Sequence, residues 1–293
     1  MLNLSEKAML VRLSISQWTA RKYDKKVSDQ VAVEHNTTSD VGRYNKTLLA
    51  LDAVKVIQKI ANEARSYHYE QTLPWEDDGS RILPAANYLH YMEDMRKYKS
   101  QFENAATDFV DKYPALIEEA KQRLNGMFNE ADYPQQKNLV YKYGFSITVN
   151  PMPAAADFRV AIREDEVSRI QADIEARMKD VQETAMRDLW KRLYGAIEHM
   201  VDRLTTQVKG QDAVFRDSMI SNIADLCGLL PRLNITNDQD LENMRQAVET
   251  RLCKYMPHEL RNNRFERYQA AKEARDILNT MATYMGREAK VAA

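Results

Sequence analysis

Between residues 69 and 88 the chain reads YEQTLPWEDDGSRILPAANY, which places three acids, Glu76, Asp77 and Asp78, beside Trp75. Adjacent carboxylates can ligate a hard cation, but such an ion takes six or more oxygens, and no spaced set of further ligands follows nearby. Asp78-Gly79 is instead the dipeptide of a two-residue type I′ turn, which needs positive φ at both positions. That turn pairs Asp77 with Ser80, Glu76 with Arg81 and Trp75 with Ile82, an opposite-charge pair beside an apolar one. The expectation is a small β-ribbon exposed at the tip of a helical hairpin, with Trp75, Glu76, Asp77, Asp78 and Arg81 placed to dock a partner.

Other residue types capable of chemistry are present but not in the spacings that chemistry needs. The five histidines are His35, His68, His90, His199 and His258. None has a glutamate three residues before it, so the Glu-x-x-His motif of a carboxylate-bridged metal centre is missing, as are His-x-x-x-His and HExxH. There is no GxxxxGK[ST], GxGxxG or GxSxG, the backbone cradles and nucleophile elbow of phosphate-binding and hydrolytic folds. Cys227 and Cys253 are far apart with no CxxC spacing, and they read as small core residues of a reducing compartment. The sequence therefore assigns no catalytic residue, no metal site and no cofactor.

Cations and aromatics remain. The run RKYDKK carries Arg21, Lys22, Lys25 and Lys26, which are candidate nucleic-acid contacts or simply the solvated start of a helix. A net charge of −1 shows no overall basic excess. MRKYKSQF and LVYKYGF set aromatics beside lysines in a way that could stack single-stranded bases, although aromatics at helical spacing ordinarily fill a core.

Long helices must position these residues. Apolar residues make up 44% of the 293-residue chain against 29% charged, and only 8 glycines and 8 prolines interrupt it, the profile of a folded helical protein. The alternation Val11, Leu13, Ile15 marks a strand, and DKKVSDQVAVEHN a short helix ending near Asn36. Leu48, Leu51, Val54, Ile57, Ile60, Ala64 and Tyr67 predict a helix from Lys46 to Tyr69. Pro84 is expected to open a second long helix, with Pro114 breaking or kinking it and a separate segment following from Ala115 to Met127. Phe145, Ile147 and Val149, then Phe158, Val160 and Ile162, predict two strands that form a three-stranded sheet with the first. From Glu164 to Thr206 every apolar step is three or four residues, which predicts one helix roughly 60 Å long. The mean step of about 3.7 favours a nearly straight helix over a leucine zipper. Further helices are expected over 212–229, from Asn237 or Asp238 to Met256, and from Pro257 to Tyr284 with Gly286 as its cap. The fold class is thus mainly α with a small antiparallel β-sheet, divided into an α+β region over 1–163 and a helical region over 164–293.

LVRLSISQWTARKYDKK, followed downstream by YGFSITVNPMP and DFRV, resembles a family of uncharacterised proteins encoded by tailed phages and integrative mobile elements. The resemblance covers about the first 165 residues and carries no catalytic motif. Because that family is often encoded beside a MoxR-type AAA+ ATPase, the resemblance implies an accessory or adaptor subunit with such an ATPase as partner. The expected function is accordingly a non-enzymatic phage or mobile-element protein acting through protein–protein contacts, as a homo-oligomer in the host cytoplasm with no membrane span. The alternative is a nucleic-acid-binding accessory factor in phage replication or recombination.

Overall fold

The structure, a computed structural model, describes residues 4–76, 78–155, 160, 163–208, 211–212 and 215–286. Ten α-helices and eight strands lie among them. In chain order they are α1 Leu4–Lys7, β1 Ala8–Ser16, β2 Arg21–Tyr23, α2 Lys25–Glu34, β3 Asn45–Thr47, α3 Leu51–Glu70, β4 Leu73–Pro74, β5 Ser80–Pro84 and α4 Tyr88–Leu124. There follow α5 Gln136–Leu139, β6 Gly144–Pro151, α6 Glu164–Thr205, β7 Gln207–Val208, β8 Gln211–Asp212, α7 Ser218–Leu233, α8 Gln239–Arg251, α9 Pro257–Asn262 and α10 Arg264–Tyr284. The mainly α architecture with a small antiparallel sheet is as the sequence predicts.

By compactness the chain divides into two units, neither of them continuous in sequence. Unit 1 comprises Met1–Val11, Glu70–Leu89 and Val149–Ala293, and unit 2 comprises Arg12–Tyr69 and His90–Thr148. The expected division at residue 163 follows chain order, whereas this one follows packing.

Unit 1 is built on α6, 42 residues long, with an apolar stripe at the expected spacing. Val181, Ala185, Leu189, Leu193, Ile197, Met200 and Leu204 are buried, and with residues of α7, α8 and α10 they form one apolar cluster. Val167, Ile170, Ile174 and Met178 continue the stripe but are only half-buried. Arg267 closes the far end of α6: its guanidinium donates to Leu204 O at 2.8 Å and Arg203 O at 2.6 Å, carbonyls the helix end leaves without a partner.

Unit 2 has an aromatic core. Trp18 packs edge-on to Tyr113 at 5.7 Å, while Phe102, Phe109, Tyr143 and Phe145 contact one another in tilted and edge-on pairs. The aromatics of MRKYKSQF and LVYKYGF therefore fill a core, with Tyr141 left exposed. Gly144 is required by close approach, since a Cβ there would lie 2.8 Å from Ser16 Oγ.

Several expected boundaries move, each for a tertiary reason. Helix α3 starts at Leu51, not Lys46, because Lys46 and Thr47 pair with β2 in the register Lys22↔Lys46, and Leu48 N donates to Ala20 O at 2.8 Å. Helix α4 runs unbroken through Pro114 for 37 residues. Proline takes the hydrogen bond from the carbonyl four residues earlier, Val110, and Gln136 Nε2 supplies the replacement at 2.9 Å. Pro84 ends β5 and caps a 3-10 turn, Ala85–Asn87, that leads directly into α4 at Tyr88. Pro231 lies inside the last turn of α7, which begins at Ser218; Asp212 belongs to β8. Helix α8 ends at Arg251, and Asn263 breaks the last helix by capping α10 with its side chain. The strand expected over 158–162 falls largely on residues outside those described, and Val160 is not in a strand.

The sheet has four strands in the order β4-β5-β1-β6. The ribbon around Asp78-Gly79 is therefore part of the main sheet, and Leu73, Ile82 and Leu83 are fully buried. This corrects the expectation of a ribbon exposed at a hairpin tip. Its register is corrected too: Leu73↔Ile82 and Pro74↔Arg81 replace Trp75↔Ile82 and Glu76↔Arg81. Moving a register by two residues keeps the same side chains on the same face. Five residues, 75–79, make the connection in place of a two-residue turn. Gly79 still supplies a positive φ, at 84°.

Candidate functional site

The docking residues expected in the acidic turn are engaged inside unit 1. Trp75 packs half-buried against the apolar cluster, and Glu76 forms an ion pair with Arg177 of α6. Arg81 Nε donates to Thr72 Oγ1 at 2.6 Å. Asp78 accepts from Ser80 N at 2.8 Å and Ser80 Oγ at 3.0 Å, closing the turn. Asp77 lies outside the described residues.

Arg21, Lys22, Lys25 and Lys26 are all exposed on β2 and the first turn of α2 in unit 2, and none makes an ion pair with another described residue. Asp24 sits among them as the N-cap of α2, accepting from Val27 N at 3.2 Å. Its charge is used inward, by Lys46. The Lys46 ammonium is buried, 2.7 Å from Asp132 and 3.5 Å from Asp24, and it donates to Met127 O at 2.9 Å. Burial alone would lower the Lys46 pKa, but the bond it donates to Asp132 and the two carboxylate charges outweigh it and hold the ammonium above its usual value. This is a satisfied structural node, so the surface quartet keeps its positive charge.

Beside that quartet an apolar groove lies between α2 and the segment returning from Asn36 to Tyr44. The segment leaves α2 through Asn36 at φ 49° and a bond from Thr37 N to Ala32 O of 2.9 Å. It is pinned at the other end, where Tyr44 N donates to Ser28 Oγ at 2.9 Å and Asp24 N to Tyr44 O at 2.9 Å. Between these two fixed points the walls stand apart around a cavity of about 360 Å³, lined by Val31, Ala32, His35, Val41, Arg43 and Tyr44 among others. Val31 is 46% and Val41 69% exposed, an unusual outlay of branched apolar surface on so short a stretch. Arg43, which lines the groove, lies 5.9 Å over the Tyr23 ring.

Sequence reasoning singled out the cations but missed the groove. Its signal was Val31 and Val41 in a largely polar segment, and only the fold shows that they stay exposed.

A second surface went unremarked in the sequence. On α10, Arg264, Tyr268, Lys272 and Arg275 are exposed at steps of four and three, one stripe along the helix. They line a cleft of about 530 Å³ in unit 1, together with buried Arg267 and with Asp276. RNNRFERYQAAKEAR contains this stripe in plain view, but its cations are diluted by glutamates that face elsewhere on the helix.

Among the described residues no group of three or more His, Cys, Asp or Glu is placed to hold a metal ion, and no helix is long and apolar enough to cross a membrane. Comparison with known proteins adds no assignment: no family model, curated protein or solved structure matches the chain.

Proposed function

We infer that the protein is a non-enzymatic accessory subunit that works by holding a partner protein, and that the α2 groove is where it holds it. The observation that carries this reading is an open apolar groove lined by Arg43, with four further exposed cations, Arg21, Lys22, Lys25 and Lys26, on the adjoining β2 and first turn of α2. The complementary partner presents an apolar segment flanked by acids: the valines supply desolvation energy and the cations supply orientation and encounter rate. The resemblance to phage and mobile-element proteins encoded beside MoxR-type AAA+ ATPases makes such an ATPase the first partner to test.

Light scattering after size exclusion, on the chain alone and mixed with a MoxR-type AAA+ ATPase, tests this directly. A defined complex is expected, lost in Val31→Asp/Val41→Asp with the unfolding midpoint unchanged. A monomer that forms no complex overturns the reading. The same run reports self-association, for which the half-buried stripe Val167, Ile170, Ile174 and Met178 on α6 is the surface to change.

A second reading, a nucleic-acid-binding accessory factor, is favoured by the α10 stripe, where an aromatic ring stands among three cations along a cleft. Three phosphate contacts would lower affinity by about fortyfold between roughly 50 and 200 mM salt. Fluorescence anisotropy with labelled single and double strands reads this. Arg264→Ala/Lys272→Ala/Arg275→Ala is compared with the quadruple alanine variant of Arg21, Lys22, Lys25 and Lys26. Affinity unchanged in both variants removes both surfaces from consideration.

A further inference from the structure

The cationic face of α10 is shaped as well as charged. Ala270, Ala271 and Ala274 are buried, and residues this small let α10 lie close along α6 inside unit 1. Arg264, Tyr268, Lys272 and Arg275 therefore line a recess, with Leu204 and Thr205 at the end of α6 also in its walls. None of these four side chains has a hydrogen-bond or ion-pair partner among the described residues. From Arg264 to Arg275 the helix rises about 16 Å, so three free cations and a ring are spread along that length.

Building on the nucleic-acid reading of this stripe, we propose that the recess holds a single strand of DNA. Its phosphates lie on Arg264, Lys272 and Arg275, and its bases stack on Tyr268 and Phe265. Replication and recombination, the processes in that reading, are where DNA is exposed as single strands.

The aromatic side chains select the strand over the duplex. Phe265 is 66% and Tyr268 65% exposed, the most open aromatic rings of unit 1 among the described residues. Three residues apart, they are neighbours on the helix surface. Rings that fill a core are covered, whereas these offer their faces to solvent. A base in a strand has a free face to stack on them, while a base in a duplex is covered by the pairs above and below. Duplex readers also push a helix into a major groove about 12 Å wide, and the cations of α10 line a recess instead.

The electrostatics of the recess are arranged for an anion. The carbonyl end of α6 carries partial negative charge and by itself would repel a phosphate. The buried guanidinium of Arg267 takes Leu204 O and Arg203 O and cancels that charge. Asp276, the one carboxylate lining the recess among the described residues, stands 3.8 Å from Arg251. The three free cations outnumber it.

Fluorescence anisotropy of the whole chain with labelled oligo(dT) of about 15 nucleotides tests this, against its duplex, oligo(rU) and oligo-glutamate. Oligo(dT) should bind more tightly than the duplex and at least as tightly as oligo(rU). Three phosphate contacts to a single strand give a slope of log affinity on log salt of about −2. Phe265→Leu/Tyr268→Leu should weaken oligo(dT) by at least about fivefold with that slope unchanged. Arg264→Ala/Lys272→Ala/Arg275→Ala should abolish the salt dependence. Ultraviolet irradiation of a strand carrying iodouracil should join it to Phe265 or Tyr268 of the wild-type chain, a readout independent of how the variants fold. An adduct elsewhere, an unchanged affinity in the aromatic variant, or tighter binding of the duplex or of oligo(rU) overturns the proposal and leaves nucleic-acid binding intact. Tighter binding of oligo-glutamate, or no binding of any strand, overturns both.

Discussion

Replacing Lys46 with methionine keeps the length of the side chain and removes its charge from the interior of unit 2. Asp132 then loses a partner at 2.7 Å and the Met127 carbonyl a donor at 2.9 Å, while Asp24 keeps its bond from Val27 N. Breaking a buried pair from one side costs about 3–5 kcal/mol, because the remaining charge is left in a poor solvent. Asp24 retains a partner, so the lower end, about 3 kcal/mol, applies. With a urea m-value of about 1.5 kcal/mol/M for a unit of this size, the midpoint should fall by about 2 M.

Tryptophan fluorescence isolates the effect. Trp18 belongs to unit 2, whereas Trp75 and Trp190 belong to unit 1. In a Trp75→Phe/Trp190→Phe background only Trp18 reports. A fall of less than about 0.5 M, with the same m-value, would refute the claim that this ammonium is a buried structural charge.

The node also sets a pH dependence. The Lys46 pKa is raised in the folded state, so its contribution is complete below the ordinary lysine value of about 10.4 and is lost as pH rises through the folded value. The Asp24 pKa is lowered, chiefly by the bond from Val27 N, so its contribution is present above the ordinary carboxylate value and disappears as pH falls through the folded one. The Trp18 midpoint should therefore be flat near neutrality and fall at both extremes. In Lys46→Met the alkaline fall should shrink to the part contributed by Tyr91, Tyr113, Tyr133 and Tyr143 of the same unit, whose pKa values burial raises.

Gln136→Ala should cost about 1 kcal/mol by leaving Val110 O without its donor, and amide exchange should rise in the turns of α4 around Pro114. Arg267→Met should cost about 2–3 kcal/mol, read as a lower midpoint of unit 1 by Trp190 fluorescence, because three carbonyls at the ends of α6 and α9 lose a charged donor. Asp238→Ala removes the N-cap of α8 and the acceptor of Trp190 Nε1 at 3.0 Å together. A loss of about 1–2 kcal/mol is expected from the cap, with a shifted Trp190 emission maximum.

What the sequence by itself determined was whatever depends on near neighbours along the chain. The three- and four-residue spacing of α6, the alternation in β1 and β6, the cap at Asp238 and the left-handed residue at Gly286 were all legible, because each is decided within a few residues. The exposed valines of α2 and the cationic stripe of α10 were present as letters but not as surfaces, since exposure depends on what other segments cover. Tertiary structure alone decided the rest. Lys46 reads as the first residue of a helix until β2 claims it, and Pro114 reads as a break until Gln136 replaces the bond it removes. The register around Asp78-Gly79, Leu73↔Ile82 and Pro74↔Arg81, is set in the four-stranded sheet and not by a two-residue turn. In each case the deciding partner comes from another element, and its contribution exceeds the few tenths of a kcal/mol that separate local conformations.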